Sequence, residues 1–278
     1  MATYDCPPTL NDTQVLDFCK QGFLMLDGVV PAEINARTVE YLQAHPGMEP
    51  TAILREDWFL HNVIVNPHVA GAVRSLLGPH FGLPGLMSNH RVQTPSPSQQ
   101  WHRDGGSLPG PKLNYLQVFY LPQACTRADG PTELLPGSHQ LFNQARAMAH
   151  LGQLRGTYYA AASAGSVFLT AYNIWHRRSA ASATGLRNLL KYNYWRTTPP
   201  ARDWIEEPGF NPKTVDYTVE KLQLREQFQD CFDAAELFFW LSGRAQEYHI
   251  MGGQGWPLPA NHLDGPYGFP GEVTNRRD

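Results

Sequence analysis

Between Gly82 and Trp195 the chain never holds one apolar pattern for long: short hydrophobic runs are cut repeatedly by Gly, Pro, Asn and Asp. Leu113–Leu121 (LNYLQVFYL), Ser166–Tyr172 (SVFLTAY) and Asn188–Trp195 (NLLKYNYW) read as strands, the last with alternating aromatics. Glu133-Leu134-Leu135 is a short run held between the turn formers Gly130-Pro131 and Pro136-Gly137. Parallel strands need long crossovers, usually helical, and none separates these runs. Closely spaced strands with turn signals between them predict an antiparallel barrel or sandwich. The 24 Gly and 23 Pro of the 278 residues suit such a turn-rich chain better than a helical bundle.

Helical signals flank this region. Thr13 is a candidate N-cap, Val15, Leu16, Phe18 and Cys19 share one helical face, and Gly22 ends the helix before the strand Phe23–Leu26. Pro31 opens a second helix that runs to Ala44, and a third spans Pro67 to Leu77, stopped by Gly78. Helical spacing returns from Asp216 to Leu241, and the Gly-, Pro- and aromatic-rich tail after it is too apolar to read as disordered. The expected organisation is one domain over 1–278: a helical part over about 1–80, a β core over about 82–197, and a C-terminal helix and tail over about 198–278.

Charge excludes several partners. Lys plus Arg is 22 against 25 Asp plus Glu, a net charge of -3, so no field draws nucleic acid or anionic lipid to the surface. No apolar stretch has the length of a membrane span, and the first ten residues lack the basic start and apolar run of a secretory signal. Cys6, Cys19, Cys125 and Cys231 are scattered without a C-x-x-C pair, which predicts reduced thiols, no thiolate zinc site and a cytoplasmic setting.

His102-Arg103-Asp104 carries the chemistry. On a strand, residues i and i+2 face the same side, so this H-x-D aims an imidazole and a carboxylate at one point. His176, which closes the run SVFLTAYNIWH, is the candidate third ligand. Two His and one carboxylate leave three positions of an octahedral metal open, the arrangement of non-haem Fe(II) oxygenases. A zinc hydrolase or isomerase barrel could use the same three side chains.

Further elements lie around these three in order: Asp129–His139 (DGPTELLPGSH) between the candidate ligands, and Arg187 eleven residues after His176. Together they resemble the phytanoyl-CoA dioxygenase family of Fe(II)/2-oxoglutarate oxygenases. The likeness covers about residues 85–195, extends to the QGFLMLDGVV strand, and is loose over the C-terminal third. It implies a mainly β fold with flanking helices, a double-stranded β-helix (jelly roll, cupin-like barrel). It implies Fe(II) on His102, Asp104 and His176, with 2-oxoglutarate chelating the iron through its 2-oxo acid end and O2 as oxidant. Arg187 would then pair with the distal carboxylate, for which a guanidinium fork is suited.

The implied activity is oxidation, by hydroxylation, of an unactivated C–H bond of a small organic metabolite, as in secondary metabolism, with succinate and CO2 as co-products. The alternatives are an acyl-CoA hydroxylase of the phytanoyl type, a protein hydroxylase, and a non-enzymatic metal- or ligand-binding barrel. Gln100, two residues before His102, would share the ligands' face on a strand, and Thr132 stands where related oxygenases place a hydroxyl near the co-substrate; Gln93 is the lesser alternative. A carboxylate at Asp104 argues against a halogenase, in which a small residue makes room for chloride. Arg178 stands where many family members carry a small or hydroxyl residue; with Arg177 it reads as a solvated charge, or else as lining the mouth of the site. Trp101 and Trp175 read as core, His139 as part of a turn and not a ligand, and Gly105–Lys112 as a candidate lid.

Overall fold

The computed structural model describes residues 2–104, 111–141, 151–218 and 233–248. In chain order its elements are β1 (Thr3–Tyr4), α1 (Asp12–Gln21), β2 (Phe23–Leu26), α2 (Ala32–Ala44), α3 (Asp57–Phe59), α4 (Pro67–Leu77), β3 (Phe81–Gly82), β4 (Ser88–Asn89) and β5 (Val92–Ser96). After these come β6 (Tyr115–Leu121), β7 (Thr132–Leu134), β8 (Tyr158–Tyr159), β9 (Ser166–Ala171), β10 (His176–Arg178), β11 (Ala181–Arg187), β12 (Leu190–Trp195) and α5 (Ala234–Leu241). Every pairing between these strands is antiparallel.

A large sheet runs in the order β1-β3-β12-β6-β9-β2, with β4 also on β12; β10-β7-β8 and β11-β5 form two smaller sheets. This is the jelly roll. Period-2 alternation sorts its central strands. Leu116, Val118 and Tyr120 of β6, and Leu190, Tyr192 and Tyr194 of β12, join Val15 and Phe18 of α1, Leu42 of α2, Val73 and Leu76 of α4 and Leu237 of α5 in one large core. The opposite set from β6 and β9, Phe119, Leu121 and Phe168, packs against Leu134 of β7 inside the barrel. Gln117, Lys191 and Asn193 alternate with the large-core residues of their strands, so their side chains fall on the inner face with Phe119.

Local chemistry sets the helix ends. α4 has Pro67 at its first position, Asn66 as a side-chain cap and Gly78 as its stop, which matches the sequence expectation. α1 is capped by Asn11 rather than Thr13: Asn11 and Gln14 form a reciprocal capping box one turn earlier. Gly22 ends α1 at φ 79°, and a Cβ there would stand 2.3 Å from the His139 ring, so both backbone and space require glycine. The segment 51–64 folds into short 3₁₀, α and π turns that no single periodicity announces. The helix expected over Asp216–Leu241 is not one element: residues 216–218 are not helical, and α5 starts afresh at Ala234, where the extended Asp233 caps it by accepting from the Glu236 amide. Residues 219–232, the tail from 249 and the lid residues 105–110 lie outside the described residues.

Asp12 ties the N-terminal helix to the chain beyond the barrel. It is fully buried and accepts from the Arg202 guanidinium (2.6 and 2.9 Å), the Trp204 indole (2.8 Å) and the Glu207 amide (2.7 Å). Burial acts to raise its pKa, but these donors and the Arg202 charge outweigh it, and the folded-state value lies below 3.8. The carboxylate therefore contributes stability above the unfolded-state pKa and loses it as pH falls through the lower folded-state value. Asp12→Ala is expected to cost about 3–5 kcal/mol at pH 7, because it leaves the buried Trp204 indole and the Glu207 amide without their acceptor and leaves Arg202 only its pair with Glu206 at 3.3 Å. The difference from the native chain should shrink below pH 4; urea midpoints across pH would measure it, and a constant difference down to pH 2 would contradict it.

Candidate metal centre

His102 lies in no strand. A single antiparallel bridge pairs it with His176, each N–H donating to the other's carbonyl at 3.0 Å. That bridge sets the imidazoles 4.5 Å apart, centre to centre. Each ring meets the carbonyl two residues before it: His102 Nδ1 donates to Gln100 (2.9 Å) and His176 Nδ1 to Ile174 (3.1 Å). A carbonyl only accepts, so the hydrogen sits on Nδ1 and the Nε2 lone pair is left for a metal.

Asp104 completes the face. Its Oδ2 is 3.8 Å from His176 Nε2, and one ligand atom from each of the three residues lies within 4.8 Å of the others. Burial pushes the His176 imidazole down to about 4, against the opposing pull of Asp104. Burial would raise the Asp104 carboxyl, but His176, Lys191 and the hydrogen bonds from Lys191 and Gln117 bring it down to about 2. At neutral pH His176 is thus neutral and Asp104 ionised, the states a metal needs. Two imidazoles and a carboxylate on one side fit Fe(II) and leave the other side open to co-substrate and O2.

Arg103, between the ligands, donates to the carbonyls of Ser138 (2.8 Å) and Leu141 (2.5 Å) and lies over the Trp175 ring. Ser138 Oγ in turn accepts from the Trp175 amide (2.9 Å). The PGSH turn therefore braces both ligand segments from behind. His139 bonds the Cys19 carbonyl at 3.0 Å and stands apart from the three ligands.

Lys191 and Gln117 both donate to Asp104 Oδ2. Neither was marked by a motif. The available signal was alternation: polar residues at 117, 191 and 193 on strands whose other face is wholly apolar. On this side Asp104, Gln117, Tyr172, Lys191, Asn193 and Trp195 line a cavity of about 550 Å³. On the other side His102, His176, Thr132, Arg178, Arg187 and Gln99 line one of about 100 Å³.

The second cavity gathers most of the remaining expected residues. Arg187 is buried, at the end of β11 rather than the start of the next strand, and donates to the Thr132 hydroxyl at 3.4 Å. Gln100 is exposed and contributes only its carbonyl; residues 97–100 form no strand, so the two-residue rule does not turn its side chain inward, and Gln99 lines the cavity instead. Gln93 is exposed on β5. Arg177 is not solvated, and Arg178 is half-buried. Arg177 is 7% exposed, bonds Glu133 at 2.7 Å and lies over the Trp101 ring, because Glu133 sits directly across the β7–β10 ladder. Arg178 stands in the cavity wall. Trp101 and Trp175 are buried, as expected of core.

Among the described residues no helix is long and apolar enough to cross a membrane. The family model described as phytanoyl-CoA dioxygenase (PhyH) matches residues 43–188, more than half of the chain. No curated protein matches. The fold resembles that of HygX from Streptomyces hygroscopicus, solved with nickel and 2-oxoglutarate (18% identity, TM-score 0.56, covering 79% of this chain and 100% of that one). It also resembles EctD from S. alaskensis with bound Fe (17% identity, TM-score 0.56, 74% and 91% covered). A third likeness is to the epimerase SnoN, in complex with Fe3+, alpha ketoglutarate and nogalamycin RO (17% identity, TM-score 0.54, 66% and 82% covered).

Proposed function

The chain belongs to the phytanoyl-CoA dioxygenase (PhyH) family of iron- and 2-oxoglutarate-dependent oxygenases, and from that premise we propose that it hydroxylates an unactivated C–H bond of a small, polar organic metabolite. The observation that carries this reading is the convergence of His102, Asp104 and His176, with Arg187 in the same cavity as the two imidazoles. In this reading the three side chains hold Fe(II), and Arg187 with Thr132 receives the distal carboxylate of 2-oxoglutarate. The bound iron and co-substrate supply the oxidising chemistry, with O2 consumed, succinate and CO2 released, and one oxygen atom delivered to the substrate.

The chain's own residues supply position and exclusion of water. The Nδ1 bonds to the Gln100 and Ile174 carbonyls fix the orientation of both imidazoles. Lys191 and Gln117 fix Asp104, and the buried Trp101 and Trp175 close the site behind the ligands. The larger cavity is the substrate's place. At about 550 Å³ it has the volume of a small-molecule site. Gln117 Oε1 and Asn193 Oδ1 are buried there as acceptors without a donor, which suits a substrate bearing hydroxyl or amino groups. SnoN, an epimerase from nogalamycin biosynthesis solved with nogalamycin RO, makes a secondary metabolite the class to try first. The free thiols Cys6, Cys19 and Cys125 suit a cytoplasmic setting.

The test is anaerobic loading with Fe(II) and 2-oxoglutarate, then O2 and a panel of hydroxylated and aminated metabolites. The expected result is succinate release stimulated by a panel member, with a product heavier by one oxygen atom. Stimulated succinate with a desaturated, cyclised or epimerised product would overturn hydroxylation.

A further inference from the structure

Elsewhere the fold gives its structural guanidiniums partners: Arg177 has Glu133 and Arg202 has Asp12, while Arg103 and Arg196 each donate to two backbone carbonyls. Arg178 and Arg187 are different. Both line the small cavity beside His102 and His176, and among the described residues no carboxylate oxygen lies within 4.0 Å of either. The Nε–H of each is buried without an acceptor. Arg187 is buried and Arg178 half-buried, and two guanidiniums in one cavity wall with no carboxylate beside them repel each other, a cost that an anion bound between them would offset.

Their placement is built. Thr132 and Arg178 are directly opposite on β7 and β10, and opposite residues of a ladder share a face. Arg187 donates to the hydroxyl of that same Thr132. Arg178 also shares the face of His176, two residues earlier on β10. Ser96 of β5 accepts from Arg178 Nη1 at 2.7 Å, and β5 is the partner strand of β11, which carries Arg187. The two cations therefore flank Thr132 and are held by adjoining strands.

We propose that Arg178 is a second cationic contact for the distal carboxylate of 2-oxoglutarate, so that this carboxylate is gripped by Arg178 and Arg187 on either side of Thr132. The proposal rests on the reading that the small cavity takes 2-oxoglutarate. It makes the site selective for 2-oxo acids with an anionic far end, beyond what a single guanidinium provides.

The test is binding, not turnover. The full chain is loaded with Ni(II), and 2-oxoglutarate or pyruvate is titrated by calorimetry into native protein, R178Q, R178K and R187Q. Pyruvate has the same 2-oxo acid end but finishes in a methyl group. R178Q is expected to weaken 2-oxoglutarate at least tenfold while pyruvate and Ni(II) affinities stay within twofold; R178K is expected to lose severalfold, because a point charge replaces the fork. If R178Q also loses Ni(II), R178K decides: 2-oxoglutarate selectively weakened supports the proposal, and unchanged affinity overturns it. Native 2-oxoglutarate affinity in R178Q with loss in R187Q overturns the role of Arg178 and leaves the proposed function standing. Native affinity in both variants overturns both. Equal loss of 2-oxoglutarate and pyruvate in R178Q with Ni(II) retained also overturns the proposal, as the far carboxylate would not be what Arg178 reads.

Discussion

Asp104→Ala is expected to leave a folded protein that binds ferrous iron at least about a hundredfold more weakly, since loss even of a supporting residue costs 10–100-fold at a metal site. Two effects act in the same direction. The substitution removes the anionic member of the candidate ligand set, and it removes the partner of Lys191, which donates to Asp104 Oδ2. An ammonium left without its carboxylate beside a dication is repelled, on the order of 4 kcal/mol per unit charge pair at 4 Å in a partly buried site. Asp104→Asn keeps the shape without the charge and is expected to lose nearly as much. Anaerobic calorimetry with Fe(II) measures both; native affinity in Asp104→Ala would remove the residue from the centre.

Arg187→Ala is expected to act on the co-substrate and not on the metal. Arg187 is 7% exposed, lies in the small cavity with both imidazoles, and has the Thr132 hydroxyl and the Cys125 thiol as neighbours. Removing a buried partner of a carboxylate costs about 2–5 kcal/mol, which is roughly 30-fold to several thousandfold in the apparent KM for 2-oxoglutarate. Iron affinity should stay native, because the guanidinium touches none of the three candidate ligands through a hydrogen bond in this structure. Arg187→Lys should recover part of the loss, since a lysine returns the charge without the planar fork. An unchanged KM in Arg187→Ala would take the residue out of the site.

What the sequence disclosed follows from the range of the interactions involved. Caps and stops are local, so Pro67, Gly78 and Gly22 mark helix ends correctly; Thr13 fails as a cap because Asn11 and Gln14 form a capping box one turn earlier, and Asp216 fails as a helix start because helical spacing does not show the extended Asp233 that begins α5. The strand cores at 115–121, 166–171 and 190–195 are legible because one of their faces is uniformly apolar. The convergence of His102, Asp104 and His176 depends on a single bridge between remote segments, which spacing alone does not reveal; the ordered motifs around them pointed to it. Lys191 on Asp104 was not legible, because it follows from the β6–β12 register that sets Lys191 across from Phe119 and Asn193 across from Gln117. Arg177 was misread as solvated for the same reason: its partner Glu133 is 44 residues away and meets it only across β7–β10. Gln100 failed for a different one, as the strand geometry assumed for it does not extend through residues 97–100.

The central claim is that three remote side chains share one metal ion beside the Arg187 cavity. A crystal of the full chain grown anaerobically with Mn(II) and 2-oxoglutarate tests it most directly, through the anomalous signal of the metal. The expected result is one peak per chain, bonded to Nε2 of His102, Nε2 of His176 and a carboxylate oxygen of Asp104, with the co-substrate's far carboxylate against Arg187. A peak that lacked any one of these three ligands, or a co-substrate pointing its far end away from Arg187, would contradict it.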